Sequence, residues 1–172
     1  IAHTPGTSSS GSAAAVASGM VPLALGTQTA GSTIRPASYC GVYGFKPSFG
    51  LVPRTGVLKT SDTLDHISLF ARSLADIVLL FETVRVRGTN HPYAHQCVDQ
   101  YVQSENKTWR VALVRGPVWD KAHSYAQEAL LDFEYSLSQF GILVEECSLP
   151  DGFGEVYELH DILYSISLSY YF

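Results

Sequence analysis

Two short stretches rich in glycine, serine and threonine constrain this chain more than any other feature. Residues 6–12 read GTSSSGS and residues 26–36 read GTQTAGSTIRP, which places Ser8 and Ser32 24 positions apart. Small residues let backbone segments or a ligand approach closely. A serine hydroxyl becomes an effective nucleophile only beside a base and beside N–H donors for the oxyanion. The two loops therefore predict either turns and caps or a site of nucleophilic catalysis.

The hydrophobic pattern around these loops predicts helices alternating with strands. Helices are predicted over 13–18, 74–84 (with Ser73 as N-cap), 122–140 and from 154 onward, and strands over 39–45, 110–114 and 142–149. This alternation favours an α/β fold with a sheet of mixed or parallel order. Asp65 and His66 are predicted to lie in a packed loop without a catalytic role, and Cys40 to be a small core residue of the strand over 39–45.

Composition narrows the classes of partner. With 46% hydrophobic residues and a net charge of -5 in 172 residues, the chain has the composition of a globular protein. Its 11 basic residues are scattered, which argues against nucleic acid and membrane surfaces as partners. Three cysteines without C-x-x-C spacing predict neither a disulfide framework nor a zinc site, and they favour the cytoplasm.

Other catalytic and binding motifs are absent or weak. The sequence contains no G-x-x-x-x-G-K-[ST], no G-x-G-x-x-G and no G-x-S-x-G. Ser104 and Lys107 match S-x-x-K without the S-D-N or K-T-G partners of that motif. His91 and His95 have a metal-compatible spacing, but Pro92 opposes the helix that this spacing requires. We therefore expect no metal and no cofactor.

The stretch from Thr4 to Pro47 resembles the amidase signature family, in which GGSSGGSAAA precedes GTDTGGSIRxPA and FCGVxGFKPT. Weaker similarity continues through residues 51–57 and 62–80, and the branch most similar includes aminoacyl-tRNA amidotransferase A subunits and small-substrate amidases. The resemblance implies a mixed β-sheet sandwiched by helices, incomplete in this chain. Residues 1–172 would form a partial amidase domain, with a nucleophile region at 4–47 and a strand–helix–strand portion at about 110–172.

The resemblance also implies catalytic roles. Ser32 falls on the nucleophile, and Ser8 on a relaying serine that follows a cis peptide bond. The backbone N–H groups of Thr29, Ala30, Gly31 and Ser32 would form the oxyanion hole. The third member of the family's triad is a neutral lysine upstream of the first loop, in sequence that this chain does not contain. The lysines present, none of which is a good substitute, are Lys46, Lys59, Lys107 and Lys121.

Four residues near the loops need separate interpretation. Thr7 and Ala30 replace glycines of the family pattern, so each is expected to place a side chain where the backbone prefers φ > 0. Gln28 stands where many members have Asp, which removes a charge. Arg35 lies three residues after Ser32, where it could bind a substrate carboxylate, or pair with a structural acid or carbonyl.

Together these features predict a serine amidase that hydrolyses carboxamide C–N bonds of a small-molecule substrate through an acyl-enzyme. The chain begins at Ile1 directly before the first motif, and no closing signal follows its last helical pattern, so we expect a fragment that is inactive without the lysine. The alternatives that remain are a catalytically dead remnant or binding module, and an amidotransferase component that works with a partner. The sequence leaves the oligomeric state open.

Overall fold

The computed structural model describes residues 3–88, 91 and 109–172. In chain order its main elements are α1 (Ser10–Ala17), β1 (Leu23–Gln28), α2 (Ile34–Cys40), β2 (Tyr43–Phe45), β3 (His66–Ala71), α3 (Leu74–Val84), β4 (Arg110–Val114), α4 (Ser124–Gln139), β5 (Leu143–Cys147) and α5 (Val156–Tyr171). The described chain forms two compact units, one of residues 3–88 and 91 with 163–172 and one of residues 109–162. The sequence-based division into 4–47 and 110–172 stays a prediction.

The first unit is built on an antiparallel sheet with the strand order β1-β3-β2. On one face Phe70 of β3 packs against Val16 of α1 and Ala37 of α2. On the other face Leu69 of β3 packs against Ile77 of α3. Helices on both faces explain why β3 is buried from Ile67 to Ala71, with no alternation between buried and exposed residues. The predicted sheet sandwiched by helices is thus confirmed.

The second unit contains a parallel strand pair. Strands β4 and β5 pair in register from Arg110 opposite Leu143 to Val114 opposite Cys147. The helix between them, α4, packs on β5, so the segment is a strand–helix–strand unit of the kind that parallel pairing requires. The sheet of the first unit is antiparallel and this pair is parallel, so both strand orders occur, each in its own small sheet. The α/β fold class expected from the sequence is confirmed.

Elements with strong local signals lie where the sequence predicts them. Helix α3 begins at Leu74 and ends at Val84, and the Oγ of its N-cap Ser73 accepts a hydrogen bond from the Asp76 backbone N–H at 3.1 Å. Strand β4 also matches its predicted bounds, and α4, β5 and α5 agree to within two residues. None of the described helices is long and apolar enough to cross a membrane.

The predicted strand over residues 39–45 is wrong in its first part. Residues 34–40 form helix α2, and only Tyr43–Phe45 is a strand. Pro36 lies in the first turn of α2, where a backbone N–H has no intrahelical partner to lose. Gly41, with φ of 66°, then ends the helix. Cys40 is therefore the last residue of a helix, half-buried against the cluster around Phe70.

The loop predicted around Asp65 and His66 is also wrong. His66 is the first residue of β3, the central strand, and Asp65 directly precedes it. The sequence does not reveal this strand because its buried run lacks alternation, and its pairing partners are distant in the chain. Gln28 at the end of β1 pairs with His66, so the start of β3 lies beside the second glycine/serine loop.

Candidate active site

Serine side chains tie the first glycine/serine loop to strand β1. The Ser9 Oγ donates a hydrogen bond to the Thr27 carbonyl and accepts one from the Thr27 N–H, both at 3.1 Å. The Ser12 Oγ donates to the Leu25 carbonyl at 2.7 Å. A Cβ placed on Gly26 would lie 2.6 Å from the Ser9 Oγ, so this close approach requires glycine. Residues 26–28 of the second glycine/serine stretch form the end of β1, so this strand holds both loops in place.

A cavity of about 90 Å³ lies where the two loops meet. Ser8 and Ser32 both line it, and within the described chain neither hydroxyl has a hydrogen-bond partner. In contrast, Ser9 and Ser12 hold the first loop in place. The other lining residues are Thr27, Thr29, Arg54, Val57, Leu58, Lys59, Thr60, Asp65, His66, Ile67 and Tyr164. The structure thus brings together the two serines singled out in the sequence.

Ser8 has an unusual backbone conformation. Its φ is 65°, and no other non-glycine residue of the described chain has a positive φ. This left-handed conformation costs a side-chain-bearing residue roughly 1–2 kcal/mol. The positive φ expected at Thr7 and Ala30 is not found. The described residues also contain no cis peptide bond, so the cis bond expected before Ser8 is not found.

The far end of the second loop is fixed by Gln28. Its side-chain Oε1 accepts hydrogen bonds from the backbone N–H groups of Thr33 at 2.9 Å and Ile34 at 3.1 Å. The Thr33 hydroxyl donates to the Ser68 Oγ of β3 at 2.5 Å, and both residues are fully buried. The amide oxygen of Gln28 therefore satisfies the first N–H groups of α2 without a charge.

Replacing Gln28 with methionine is expected to lower the free energy of unfolding by about 1–3 kcal/mol. Methionine nearly preserves the volume but has no oxygen, so two N–H groups at the start of α2 lose their acceptor. Urea denaturation measures the change. Gln28→Glu keeps an oxygen at this position and should retain most of the stability, and equal losses in the two variants would contradict the capping role.

Asp65 and His66 are the cavity residues whose importance the sequence does not reveal. The His66 Nδ1 lies 2.7 Å from the Leu64 carbonyl oxygen. Because a carbonyl only accepts, this nitrogen carries the proton. Burial lowers the pKa of the imidazole, which favours its neutral form. The only available signal was a pair of titratable residues directly before an apolar run, and that pattern is too common to assign a site.

Lys59, which the sequence analysis named only as a poor substitute for the family's lysine, also lines the cavity. Its Nζ lies 2.9 Å from the Asp62 Oδ1. The hydrogen bond and the charge of Asp62 raise the pKa of the exposed ammonium group. A lysine that accepts a proton from a serine must be neutral, so Lys59 is unsuited to that role. Lys46, whose Nζ donates to the Pro47 carbonyl, does not line the cavity.

Arg35 is an exposed residue of α2 that contacts both loops but does not line the cavity. Its NH1 donates to the Thr7 Oγ1 at 3.2 Å. A Cβ placed on Gly31 would lie 3.0 Å from the Arg35 NH2, so glycine leaves room for the guanidinium. Among the described residues Arg35 pairs with no carboxylate and no carbonyl, so the structural pairing considered as its alternative role is not found.

The histidine pair and the S-x-x-K match from the sequence analysis do not define a second site among the described residues. In the part of the chain that the structure describes, no three His, Cys, Asp or Glu residues are grouped as a metal site would require. His91 is exposed, whereas His95, Ser104 and Lys107 lie outside the described residues.

Comparison with known proteins identifies the family. The amidase family model matches residues 1–169. The A subunit of glutamyl-tRNA(Gln) amidotransferase from Staphylococcus carnosus (strain TM300) is 36% identical over 159 residues, covering 88% of this chain and 33% of that protein. The chain therefore belongs to the amidase family. It spans about a third of the length of the curated relatives that it matches.

Solved structures have the same fold. The A subunit of glutamyl-tRNA(Gln) amidotransferase from Thermotoga maritima matches with a TM-score of 0.79 and 28% identity, covering 96% of this chain and 37% of that one. The native peptide amidase of Stenotrophomonas maltophilia matches with a TM-score of 0.75 and 27% identity, covering 100% of this chain and 37% of that one. The fold expected from the resemblance is thus confirmed.

Proposed function

We propose that the protein carrying this chain hydrolyses a carboxamide through an acyl-enzyme on Ser32. The observation that supports this proposal is the pairing of Ser8 and Ser32 in one cavity, with neither hydroxyl engaged by another described residue. Gly/Ser-rich loops that serve only as turns use their hydroxyls for backbone hydrogen bonds, as Ser9 and Ser12 do here. Two unengaged hydroxyls in one concavity favour chemistry instead.

The proposed reaction proceeds in two steps. The Ser32 Oγ attacks the carbonyl carbon while its proton passes to the Ser8 Oγ, and the Ser8 proton passes to a neutral lysine. Lys59 is unsuited to this role, because Asp62 favours its protonated form. We therefore propose that the lysine belongs to a part of the full-length protein outside these 172 residues, as the family resemblance implies. The N–H groups from Thr29 to Ser32 stabilise the oxyanion, and the leaving ammonia or amine takes the proton. Water then hydrolyses the ester to release the acid and restore Ser32.

A serine-directed phosphonate tests the proposed nucleophile in the full-length enzyme. We expect stoichiometric inactivation together with a covalent adduct on the peptide that contains Ser32. The adduct mass measured after digestion identifies the residue. Inactivation with the adduct on another serine, or full activity without an adduct, would overturn the assignment.

Arg35 is proposed to bind a carboxylate of the substrate. Its guanidinium lies against Gly31, next to the nucleophile, and has no ionic partner within the described chain. A planar guanidinium can hold a carboxylate through two parallel hydrogen bonds. The substrate class supported by this position is an amide that also carries a free carboxylate.

Replacing Arg35 with glutamine is expected to raise KM roughly 10- to 100-fold for amides with a free carboxylate, since a charge-assisted hydrogen bond is lost. The matching methyl ester substrates should show less than a threefold change. Steady-state kinetics on the two substrate sets measures the difference. An equal rise in KM for acids and esters would refute carboxylate binding.

A second candidate function is that of a component of an amidotransferase. The similarity to the A subunits of glutamyl-tRNA(Gln) amidotransferases, at 36% identity for the protein from S. carnosus, favours it. In this role the same Ser32 chemistry would release ammonia from an amide donor for transfer by a complex with partner subunits. Affinity purification from the native organism tests it, because recovery as a lone, fully active hydrolase would count against it. Free thiols at Cys40 and Cys147 fit a cytoplasmic location for either function.

A further inference from the structure

The carboxylate of Asp65, which lines the cavity, accepts hydrogen bonds from several surrounding groups. The side chain of Asp65 is only 8% exposed, and both of its oxygens are used. The Oδ2 accepts the backbone N–H groups of Thr60 at 2.8 Å and Ser61 at 3.0 Å. The Oδ1 accepts the hydroxyls of Thr60 at 2.7 Å and Thr29 at 2.6 Å. Four donors thus converge on this carboxylate.

The hydroxyl of Thr29 differs from the other three donors because it comes from a different segment of the chain. Thr60 and Ser61 belong to the same turn as Asp65, because the Asp65 N–H donates back to the Ser61 carbonyl at 3.3 Å. Thr29 instead directly follows β1 and begins the loop 29–32 before the nucleophile. Its bond to Asp65 is therefore a contact between the two segments that meet at the cavity.

The other end of the loop is fixed to the same strand. Thr33, which directly follows Ser32, donates its hydroxyl to Ser68 of β3 and its N–H to Gln28. Loop 29–32 is thus held at its first residue by Asp65, just before β3, and at its end by Ser68 within β3. A loop fixed at both ends can hold its N–H groups in place before the substrate arrives.

Asp65 remains ionised in this environment. Burial alone would raise the pKa of the carboxyl, but the hydrogen bonds that it accepts outweigh burial and hold the pKa below its usual value. The guanidinium of Arg54 lies 3.9 Å from the Oδ2. An ionised acceptor makes stronger hydrogen bonds than a neutral one, so the Thr29 hydroxyl is held firmly.

We propose that Asp65 is a positioning residue for the oxyanion hole, acting through the side-chain hydroxyl of Thr29. The inference rests on the proposed Ser32 function and adds a residue to it. Asp65 touches neither the substrate nor the reacting atoms. It sets the position of the first residue of the loop whose N–H groups stabilise the tetrahedral intermediate.

The test uses Thr29 instead of Asp65, because Asp65→Asn would turn an NH₂ toward backbone donors and endanger folding. Thr29→Val removes the hydroxyl at nearly constant volume and leaves the backbone N–H in place. In the full-length enzyme we expect kcat to fall roughly 10- to 100-fold with KM changed less than threefold, since small displacements of catalytic groups cost about this much. Thr29→Ser keeps the hydroxyl and should recover activity to within about threefold of the unsubstituted enzyme.

A matched control and a second measurement separate positioning from stability. Thr83→Val removes a threonine hydroxyl on α3 that donates to the Leu79 carbonyl, and kcat should not change. A peptidyl boronate, which mimics the tetrahedral intermediate, should bind Thr29→Val 10- to 100-fold more weakly, while a non-reactive amide competitor binds equally well.

Each outcome is decisive. The proposal is overturned if Thr29→Val keeps kcat within threefold, if Thr29→Ser is as impaired as Thr29→Val, or if boronate and amide affinities fall together. If Thr29→Val does not fold, Thr29→Ser still tests the proposal with the boronate and the amide competitor. The proposal requires that Thr29→Ser has a normal kcat and a normal affinity for the boronate. Phosphonate labelling distinguishes a failure of the proposed function from a failure of the role proposed for Asp65. An unlabelled Ser32 refutes the proposed function, whereas a labelled Ser32 with an unimpaired Thr29→Val refutes only the role of Asp65.

Discussion

Replacing Ser32 with alanine is expected to reduce kcat for amide hydrolysis by about 10⁴- to 10⁶-fold in the full-length enzyme, the loss typical of a removed catalytic nucleophile. Substrate binding should persist, because the cavity and its other lining residues remain. Steady-state kinetics with a chromogenic amide measures the loss. Ser38→Ala is the matched control, since Ser38 is an exposed serine on α2, six residues further along the chain.

Ser8→Ala tests whether the two hydroxyls act as one unit. If Ser8 relays the proton of Ser32, the double variant should be no more impaired than Ser32→Ala alone, because residues of one catalytic unit are strongly non-additive. Multiplicative losses would mean that Ser8 acts independently. Retention of a tenth or more of the activity by Ser32→Ala would refute the nucleophile assignment itself.

Phe70→Ala is expected to have the largest effect on stability, lowering the free energy of unfolding by about 3–5 kcal/mol. Phe70 is fully buried on the central strand and packs against Val16 and Ala37. A Cβ placed on Gly26 would lie 2.8 Å from the Phe70 ring, so this ring also packs against β1, which holds both serine loops. The variant should therefore lose activity as well as stability.

Denaturant unfolding of the full-length protein measures this change. Phe70→Leu serves as the graded control, because it leaves a smaller cavity and should cost less than half as much. A loss below about 1 kcal/mol in Phe70→Ala would mean that the ring is not part of a close-packed core. Equal losses in both variants would point to an effect of the aromatic ring itself.

The sequence predicted elements whose signals are local. Helix α3 has Ser73 as its cap and Asp76 in its first turn, and both signals lie within four residues. It did not predict α2, because the glycine-, serine- and threonine-rich stretch that contains Pro36 was interpreted as a loop, and the place of Pro36 in the first turn of a helix becomes apparent only in three dimensions. Strand β3 was missed because burial on both faces removes the alternation that identifies most strands.

The residues of the candidate site also differ in whether a local sequence signal predicts them. Ser8, Ser32 and the loop 29–32 were identified because they occur in short contiguous motifs. Asp65, His66 and Lys59 reach the cavity through a segment that no motif links to those loops. Their contribution depends on the antiparallel pairing of β1 with β3, and that long-range pairing has no local signature. The protonation state of Lys59 likewise depends on its contact with Asp62, which no local motif predicts.

The anchoring of both loops on β1 limits how this segment can change in evolution. Ser9 and Ser12 form hydrogen bonds with the strand at Thr27 and Leu25. Gln28, at the end of the strand, caps the helix that follows Ser32. Inserting or deleting one residue within β1 would turn the following side chains to the opposite face of the sheet. The two hydroxyls would then separate even though both serines were retained. The interval of 24 positions between Ser8 and Ser32 should therefore tolerate substitutions far better than changes of length.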